Sequence, residues 1–600
     1  MHYSETWDLD SIFPGGLASP ALKSKLTTLK QQLHDTQTTL TNWRAEADTP
    51  AFDWFQQLTQ DLQRLEAGLL QSQVFVVAVQ SADASNTQAG ALLNQLYQLD
   101  NQRENLMTQF KKKLVALPQA TFAKIVEQPE LKPIAFNLTE MRKQGLALLD
   151  DQTEALINNL AIDGFQGWSD HYDTLVNQIK VSYTDEQGTK QTLSAGQAQN
   201  MLAAAMPNQQ RADLMHNWEQ AWQQQAAPMA DTLNHLAGFR LQDYKAHGTS
   251  DFLRRPLDLN RLSKDTLTTM YQVVADSQSL LLDYLKRKVT LMGKTQLDWQ
   301  DVEAPLTLSD APQTQTYDQA ADFVISNFAA FSPKMAKLAK YAFDHRWIEA
   351  ENRPNKRPGG YMESLPETKE SRIFMTFTGS PNDTATLAHE LGHAFHSDVI
   401  KDLPLWRQDY AMNVAETAST FAELIVADAN VKTAKDTKTK LDLLDAKMQN
   451  PLAMFLDIRA RFLFETSFYE ARQDHIVTPT ELSDLMLNAQ KTAYGNALTT
   501  YHPMFWASKL HFYIADTPFY NFPYTFGYLF SLGIYAQAKQ QPDFEDRYIA
   551  LLRDTANMST EDLAKKHLGV DLTKPAFWQA GVALIKRDID EFMALSAPLL

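Results

Sequence analysis

The sequence predicts a mainly α fold with a small β element, and three observations carry that reading. Apolar residues recur at spacings of three and four through most of the chain, as in "LYQLDNQRENLMTQFKKKLVAL". Runs that read as strands beside Gly-containing turns are confined to two short places. Cysteine is absent, so packing rather than disulfides must hold the fold. With 600 residues, 44% of them hydrophobic, the chain can bury a large core or more than one.

From Pro20 to about Leu160 the chain is rich in Gln, Leu and Ala and reads as long amphipathic helices packed as antiparallel hairpins. The stretch Ile179 to Leu193, "IKVSYTDEQGTKQTL", alternates polar and apolar residues about a Gly turn, which predicts a hairpin and a domain boundary. The expected division is therefore 1–180, an N-terminal helical region, and 181–600. Helical patterning resumes over 194–248, 262–292 and 317–344, with "DFLRRPLDLNR" as an irregular connector, and no repeat of fixed period occurs. Gly and Pro then punctuate 353–378, where "RIFMTFT" predicts one strand after a glycine loop. Helices follow to the C-terminus, interrupted by an aromatic-rich segment over 501–535.

A formal net charge of -17 disfavours non-specific binding to nucleic acid. No apolar run is long enough to span a bilayer, the most notable being Val74 to Val79, so no membrane role is expected. The opening residues lack the basic start and apolar core of a secretory signal, which predicts a cytoplasmic protein. Nothing in the sequence specifies an oligomeric state.

The chemistry centres on "TATLAHELGHAFHSDVI", where His389, Glu390 and His393 form H-E-x-x-H. Asn382 or Asp383 is a plausible N-cap after Pro381, and Leu387, Leu391 and Phe395 fall at four-residue spacing, which predicts a helix. On it His389 and His393 share a face. Two imidazoles one turn apart can direct nitrogens at one ion about 2.0 to 2.1 Å away, and Glu390 can reach the water such an ion holds. A catalytic zinc needs a third protein ligand, and without cysteine it must be His, Asp or Glu. In "NVAETASTFAELIVAD", Glu416 lies 23 residues after His393 on a second helical pattern and is the favoured ligand. Glu423, two turns on, suits an acceptor for a ligand histidine, and reads equally as a solvated or salt-bridged carboxylate. His396 occupies the glycine place and Val399 the third histidine place of the longer H-E-x-x-H-x-x-G-x-x-H pattern, so a three-histidine site is not expected and His396 reads as a packed or surface residue.

These residues resemble the M3 metallopeptidases, within them the oligoendopeptidase F branch. The likeness covers most of the chain: "TWDLDSIFPG", "RIFMTFTGSPNDTATLAHELGHAFHS", "NVAETASTFAE" and "HFYIADTPFYNFPYTFGYLFSLG". The resemblance implies a two-lobed helical metallopeptidase, a gluzincin, enclosing a deep substrate channel, with the small β element beside the active-site helix. It implies one zinc per chain on His389, His393 and Glu416, with Glu390 as general base, within a catalytic region spanning 181–600. Its substrates would be oligopeptides cut internally. The late segment would hold the scissile carbonyl through His511 and the tyrosines that follow. Tyr528 and Tyr520 are ranked as donors above Tyr524, which is kept as a substrate contact, and His502 is a competing histidine. Read without the resemblance, these aromatics are core packing first. The loop residues Gly359, Gly360 and Tyr361 would lie near the substrate, and the following strand could pair with its main chain.

The expected reaction is a single displacement: Glu390 takes a proton from water and passes it to the leaving amine. Two rivals are a dipeptidyl carboxypeptidase with the same metal triad and a non-catalytic peptide-binding protein.

Overall fold

The structure is a computed structural model that describes residues 2–43, 52–309, 314–541 and 543–600. Among these residues helices dominate, and five short strands form two small sheets.

The N-terminal helices Pro20–Asn42, Phe52–Ala82 and Thr87–Ala116 pack as the expected hairpins. Leu22, Leu26, Leu29 and Leu33 line one face of the first, and Leu58, Leu62, Leu65 and Leu69 line the second. Together with Phe110 and Leu138 they build one apolar core, and a second core gathers Tyr3 and residues from Tyr172 onward. The cores thus change over between Leu138 and Tyr172, ahead of residue 180. The helix Gly167–Val176 already buries Tyr172 and Leu175 in the second core, ahead of the hairpin.

The hairpin is present: β1 (Lys180–Thr184) pairs antiparallel with β2 (Lys190–Ser194), Val181 opposite Leu193. Asp185 closes its turn by accepting from the backbone of Gln187 and Thr189. The connector read as irregular contains a short helix, Arg254–Leu259.

The second sheet differs from the sequence reading. Its strands are β3 (Ile348–Glu349), β4 (Tyr361–Leu365) and β5 (Glu370–Phe374), in the order β3-β5-β4. The strand expected over "RIFMTFT" begins two residues earlier and stops at Phe374. Its partner β3 is only two residues long, and beyond it single bonds from Met375 and Phe377 to Glu349 and Ala350 replace the ladder. The unforeseen strand is β4, whose Met-Glu-Ser centre lacks β-branched residues. Since β5 is central, only β4 on that side offers an unpaired edge.

Trp406, in the loop between the two helices of the candidate site, joins the two cores. Its indole is 3% exposed, lies 6.0 Å from the Phe110 ring and donates to Glu66 at 3.0 Å, while its carbonyl accepts from Asn137 at 2.7 Å. Trp406→Ala should lower stability by about 3 to 5 kcal/mol. Urea unfolding followed by limited proteolysis should show cleavage appearing first in the N-terminal helices.

Candidate active site

The motif helix spans Pro381–Ile400. Its N-cap is Ser380, not Asn382 or Asp383: Ser380 has extended backbone, its hydroxyl accepts from the Asp383 amide at 3.2 Å, and the Asp383 carboxylate accepts from the Ser380 amide at 3.0 Å. Pro381 takes the first helical position, where its missing N–H is harmless. The ligand helix spans Met412–Thr433 and lies against it.

Gly392, inside the motif, permits the crossing. A Cβ there would meet the Ala418 carbonyl oxygen at 2.5 Å and the Ser419 Cα at 2.7 Å. The backbones therefore touch where any side chain would separate them. This contact brings Glu416 Oε2 to 3.3 Å from His389 Nε2 and 3.4 Å from His393 Nε2. One donor atom from each of the three residues lies within 4.8 Å of the others.

Neighbouring side chains orient the set. His389 Nδ1 lies 3.3 Å from Glu423 Oε2, and Glu423 Oε1 accepts from Asn450 at 2.7 Å. The Ser419 hydroxyl donates to Glu416 Oε2 at 2.6 Å. Burial opposes charge on His389, but hydrogen bonds to Glu416 and Glu423 outweigh it and raise its pKa well above the ordinary value. Burial would raise Glu416, yet the two histidines hold it far below the carboxylate range. Two converging carboxylates here favour positive charge, and two imidazoles and a carboxylate are donors that could hold a divalent ion. The residues fit a metal.

Glu390 is 5% exposed, and its Oε2 has no hydrogen-bond partner among the described residues. Burial raises its pKa, with Glu416 and Glu423 adding and His389 and His393 opposing. An unsatisfied buried carboxylate oxygen beside a donor cluster is arranged for a reactant rather than for stability. Gly360 adjoins it: a Cβ on Gly360 would sit 3.5 Å from Glu390 Oε1. Gly359, with φ +94°, turns the loop and has open space beside it. Tyr361 departs from the expected substrate contact. Its ring stacks on Phe374 at 5.3 Å and its hydroxyl bonds Ser81 of the second N-terminal helix, so the side chain ties β4 to that helix.

The aromatic helix, Phe522–Ala538, lies on the other side of the ligand helix, and Gly527 allows the approach. A Cβ there would be 3.0 Å from the Glu416 Cβ. Tyr524 is the one residue from Asn521 to Ala536 that is not fully buried. Its ring centre lies 5.9 Å from that of His511 and 5.6 Å from that of Tyr520, and His511 lies 5.3 Å from Tyr520. Tyr528 is elsewhere: 4% exposed, it packs on Phe455 and lines an interior cavity with Asp428, Lys447 and Asp588. The ranking of Tyr528 above Tyr524 is corrected by this placement, because one helical turn carries residue 528 inward. Burial first, then the Tyr520 neighbour, raises the Tyr524 phenol, with Glu416 adding. Burial and the charges of Arg461 and Lys509 lower His511 to about 4, so its imidazole is neutral at pH 7. His511 Nδ1 has no partner among the described residues.

His396 is fully buried, bonds Thr555 at 3.0 Å and stacks on Tyr410 at 4.2 Å, the packed residue expected. His502 is 2% exposed and held by Trp218 and Glu219. Sequence reasoning missed Ser419, Asn450, Gly392 and Gly527. Ser419 could have been found one turn after Glu416; Asn450 carries no local signal.

Gly392→Ala should destabilise the protein by about 1 to 3 kcal/mol by forcing the helices apart, read by denaturant unfolding, and should weaken metal binding in parallel. Glu423→Ala should leave the fold intact but weaken metal affinity about 10- to 100-fold, measured by chelator competition.

Comparison with known proteins gives a consistent result. Residues 201–584 match the model of Peptidase family M3 and residues 113–180 that of Oligopeptidase F. Oligopeptidase PepF of Bacillus subtilis (strain 168) is 22% identical over 613 residues, covering 98% of this chain and 87% of that protein. A peptidase structure from Chlamydophila abortus superposes with a TM-score of 0.83 at 20% identity over 98% of each chain. The structure of oligoendopeptidase-F from Enterococcus faecium does so with a TM-score of 0.71 at 18% identity, covering 96% of this chain and 98% of its own.

Proposed function

The chain belongs to peptidase family M3 and is a peptidase of the oligoendopeptidase F type, and from that premise we propose that it cuts internal bonds of short oligopeptides with one zinc held by His389, His393 and Glu416. The observation that carries the reading is the convergence of these three donors beside Glu390, a buried carboxylate with an oxygen left unpaired.

Bound zinc supplies a Lewis acid that polarises the scissile carbonyl and makes a water acidic near neutral pH. Glu390 accepts the proton of the attacking water and returns it to the leaving amine, and its burial suits a base that must also become an acid. Glu423, braced by Asn450, holds the Nδ1 proton of His389 and presents Nε2 as the donor. Ser419 fixes the rotamer of Glu416. The Tyr524 phenol, kept protonated by its surroundings, donates to the developing oxyanion, with neutral His511 and Tyr520 positioning it. Gly359 and Gly360 leave room for a peptide main chain beside Glu390, and the free edge of β4 suits main-chain pairing. Such pairing reads backbone rather than sequence, so it suits oligopeptides of varied composition.

The test is hydrolysis of an internally quenched, end-blocked peptide of about ten residues, a length typical of an extended strand and its flanks. Internal cleavage should be lost on chelation and regained with zinc, with the cut located by mass. Absence of cleavage at stoichiometric zinc, or removal of dipeptides only from an otherwise identical peptide with a free C-terminus, would reject the proposal. Glu390→Gln should retain zinc and lose most turnover. Tyr524→Phe should lose about a hundredfold in kcat, roughly 3 kcal/mol, while Tyr528→Phe should change the melting temperature more than the rate.

A further inference from the structure

A second cavity lies just upstream of His511. Its walls are Trp218, Trp299, Tyr494 and Phe505, with His502 and Lys509 as polar members, and its volume is about 60 Å³. One water needs about 10 to 15 Å³ on this measure. The space therefore takes a carboxylate with a short methylene stem and excludes a large ring system.

The polar groups here are unevenly satisfied. His502 is fully engaged: Nδ1 pairs with Glu219, and Nε2 lies 3.1 Å from the Trp218 indole nitrogen and 3.3 Å from the Ser508 hydroxyl. Arg461, over one part of the Phe505 ring at 5.1 Å, is neutralised by a two-pronged bond to Asp457 at 2.9 and 2.7 Å. The Lys509 ammonium sits 4.7 Å over the same ring and makes no hydrogen bond or ion pair among the described residues. Glu303, an exposed carboxylate lining the cavity, forms no ion pair with Lys509 among the described residues and acts on it through its charge alone. A half-buried ammonium with aromatic walls, whose nearest carboxylates Asp457 and Glu303 act only at a distance, is costly unless a ligand brings a direct partner. Burial depresses its pKa and the neighbouring Arg461 adds to this, with Asp457 and Glu303 opposing.

We propose that this cavity is a carboxylate-binding subsite for the peptide substrate, in which Lys509 binds the carboxylate and the Trp299 and Phe505 rings flank the stem. The inference rests on the peptidase reading above. Lys509 caps the short helical turn Leu510–Phe512 that carries His511, which places the cation of the cavity two residues from the proposed substrate contact. The carboxylate comes from an acidic side chain or from the substrate's C-terminus.

The experiment uses the full-length Glu390→Gln protein loaded with zinc, so that binding is read without turnover. Fluorescence anisotropy gives Kd for N-terminally labelled neutral decapeptides in which one Glu, or Gln as control, is moved through each position, each with a free or amidated C-terminus. One placement should bind about tenfold tighter than its neutral counterpart, the size of a charge-assisted hydrogen bond. A Glu position identifies a side-chain subsite; a free terminus identifies a terminal-carboxylate subsite. Adding Lys509→Met should bring the ratio to about one, and Lys509→Arg should keep it; Lys509→Gln replaces Met if the apolar variant does not fold. Equal binding at every placement, or a ratio that survives loss of the cation, would overturn the proposal. A preserved ratio in a protein that cuts no peptide would instead reject the endopeptidase reading and leave the subsite standing.

Discussion

The candidate site depends on one steric fact, the absence of a side chain at residue 392. The motif helix and the ligand helix cross with backbone against backbone, and that separation lets a glutamate on one helix meet two histidines on the other. The sequence separation is small and the geometric tolerance is smaller. A methyl group at the crossing would displace the carboxylate by more than a metal–ligand bond tolerates. Glycine in the middle of a helix costs stability relative to alanine, about 1 kcal/mol, and here it is retained where the close contact requires it.

The ligand helix is also the spine on which the other half of the site is mounted. Gly527 brings the aromatic helix against Glu416 from the opposite side, and Ser531 bonds the carbonyls of Glu416 and Thr417 at 3.2 and 3.3 Å. A shift of the ligand helix therefore moves the metal donors and Tyr524 together. The approach to the site is stiffened from elsewhere: Arg461 ties Asp457 to Asn521 at the start of the aromatic helix, and Tyr361 ties β4 to the N-terminal core. Glu416 and Glu423 are tolerable inside this frame because each has partners, whereas Glu390 Oε2 has none among the described residues.

Local periodicity made part of this legible in the sequence. His389 and His393 are one turn apart, Glu416 and Glu423 two turns apart, and such relations follow from helix geometry alone. The β1-β2 hairpin was readable because alternation and a Gly turn are also local. The rest depends on what the chain folds against. β4 is a strand because β5 offers it a partner, while its own residues favour nothing in particular. Tyr361 faces Ser81, far away in sequence, so no nearby residue signals its structural role. Tyr524 and Tyr528 differ in which part of a helix lies under other helices, a property spacing cannot show. The early change of core, before residue 180, arises because a helix packs forward onto residues that the sequence places after the hairpin.

The order in which these parts come together along the chain has a further consequence. The metal donors and their brace lie within one helix–loop–helix, His389 and Glu423 being 34 residues apart. Closing so short a loop costs little entropy, and local pairs of helices form early. The His511 and Tyr524 half is contributed much later in the chain and must dock across the ligand helix. On the proposed reading, metal capture and assembly of the substrate-facing half would be separable folding events. A partly folded chain that holds its ion but lacks its tyrosine would count as fully loaded by metal content, so metal content alone does not measure the fraction of working molecules.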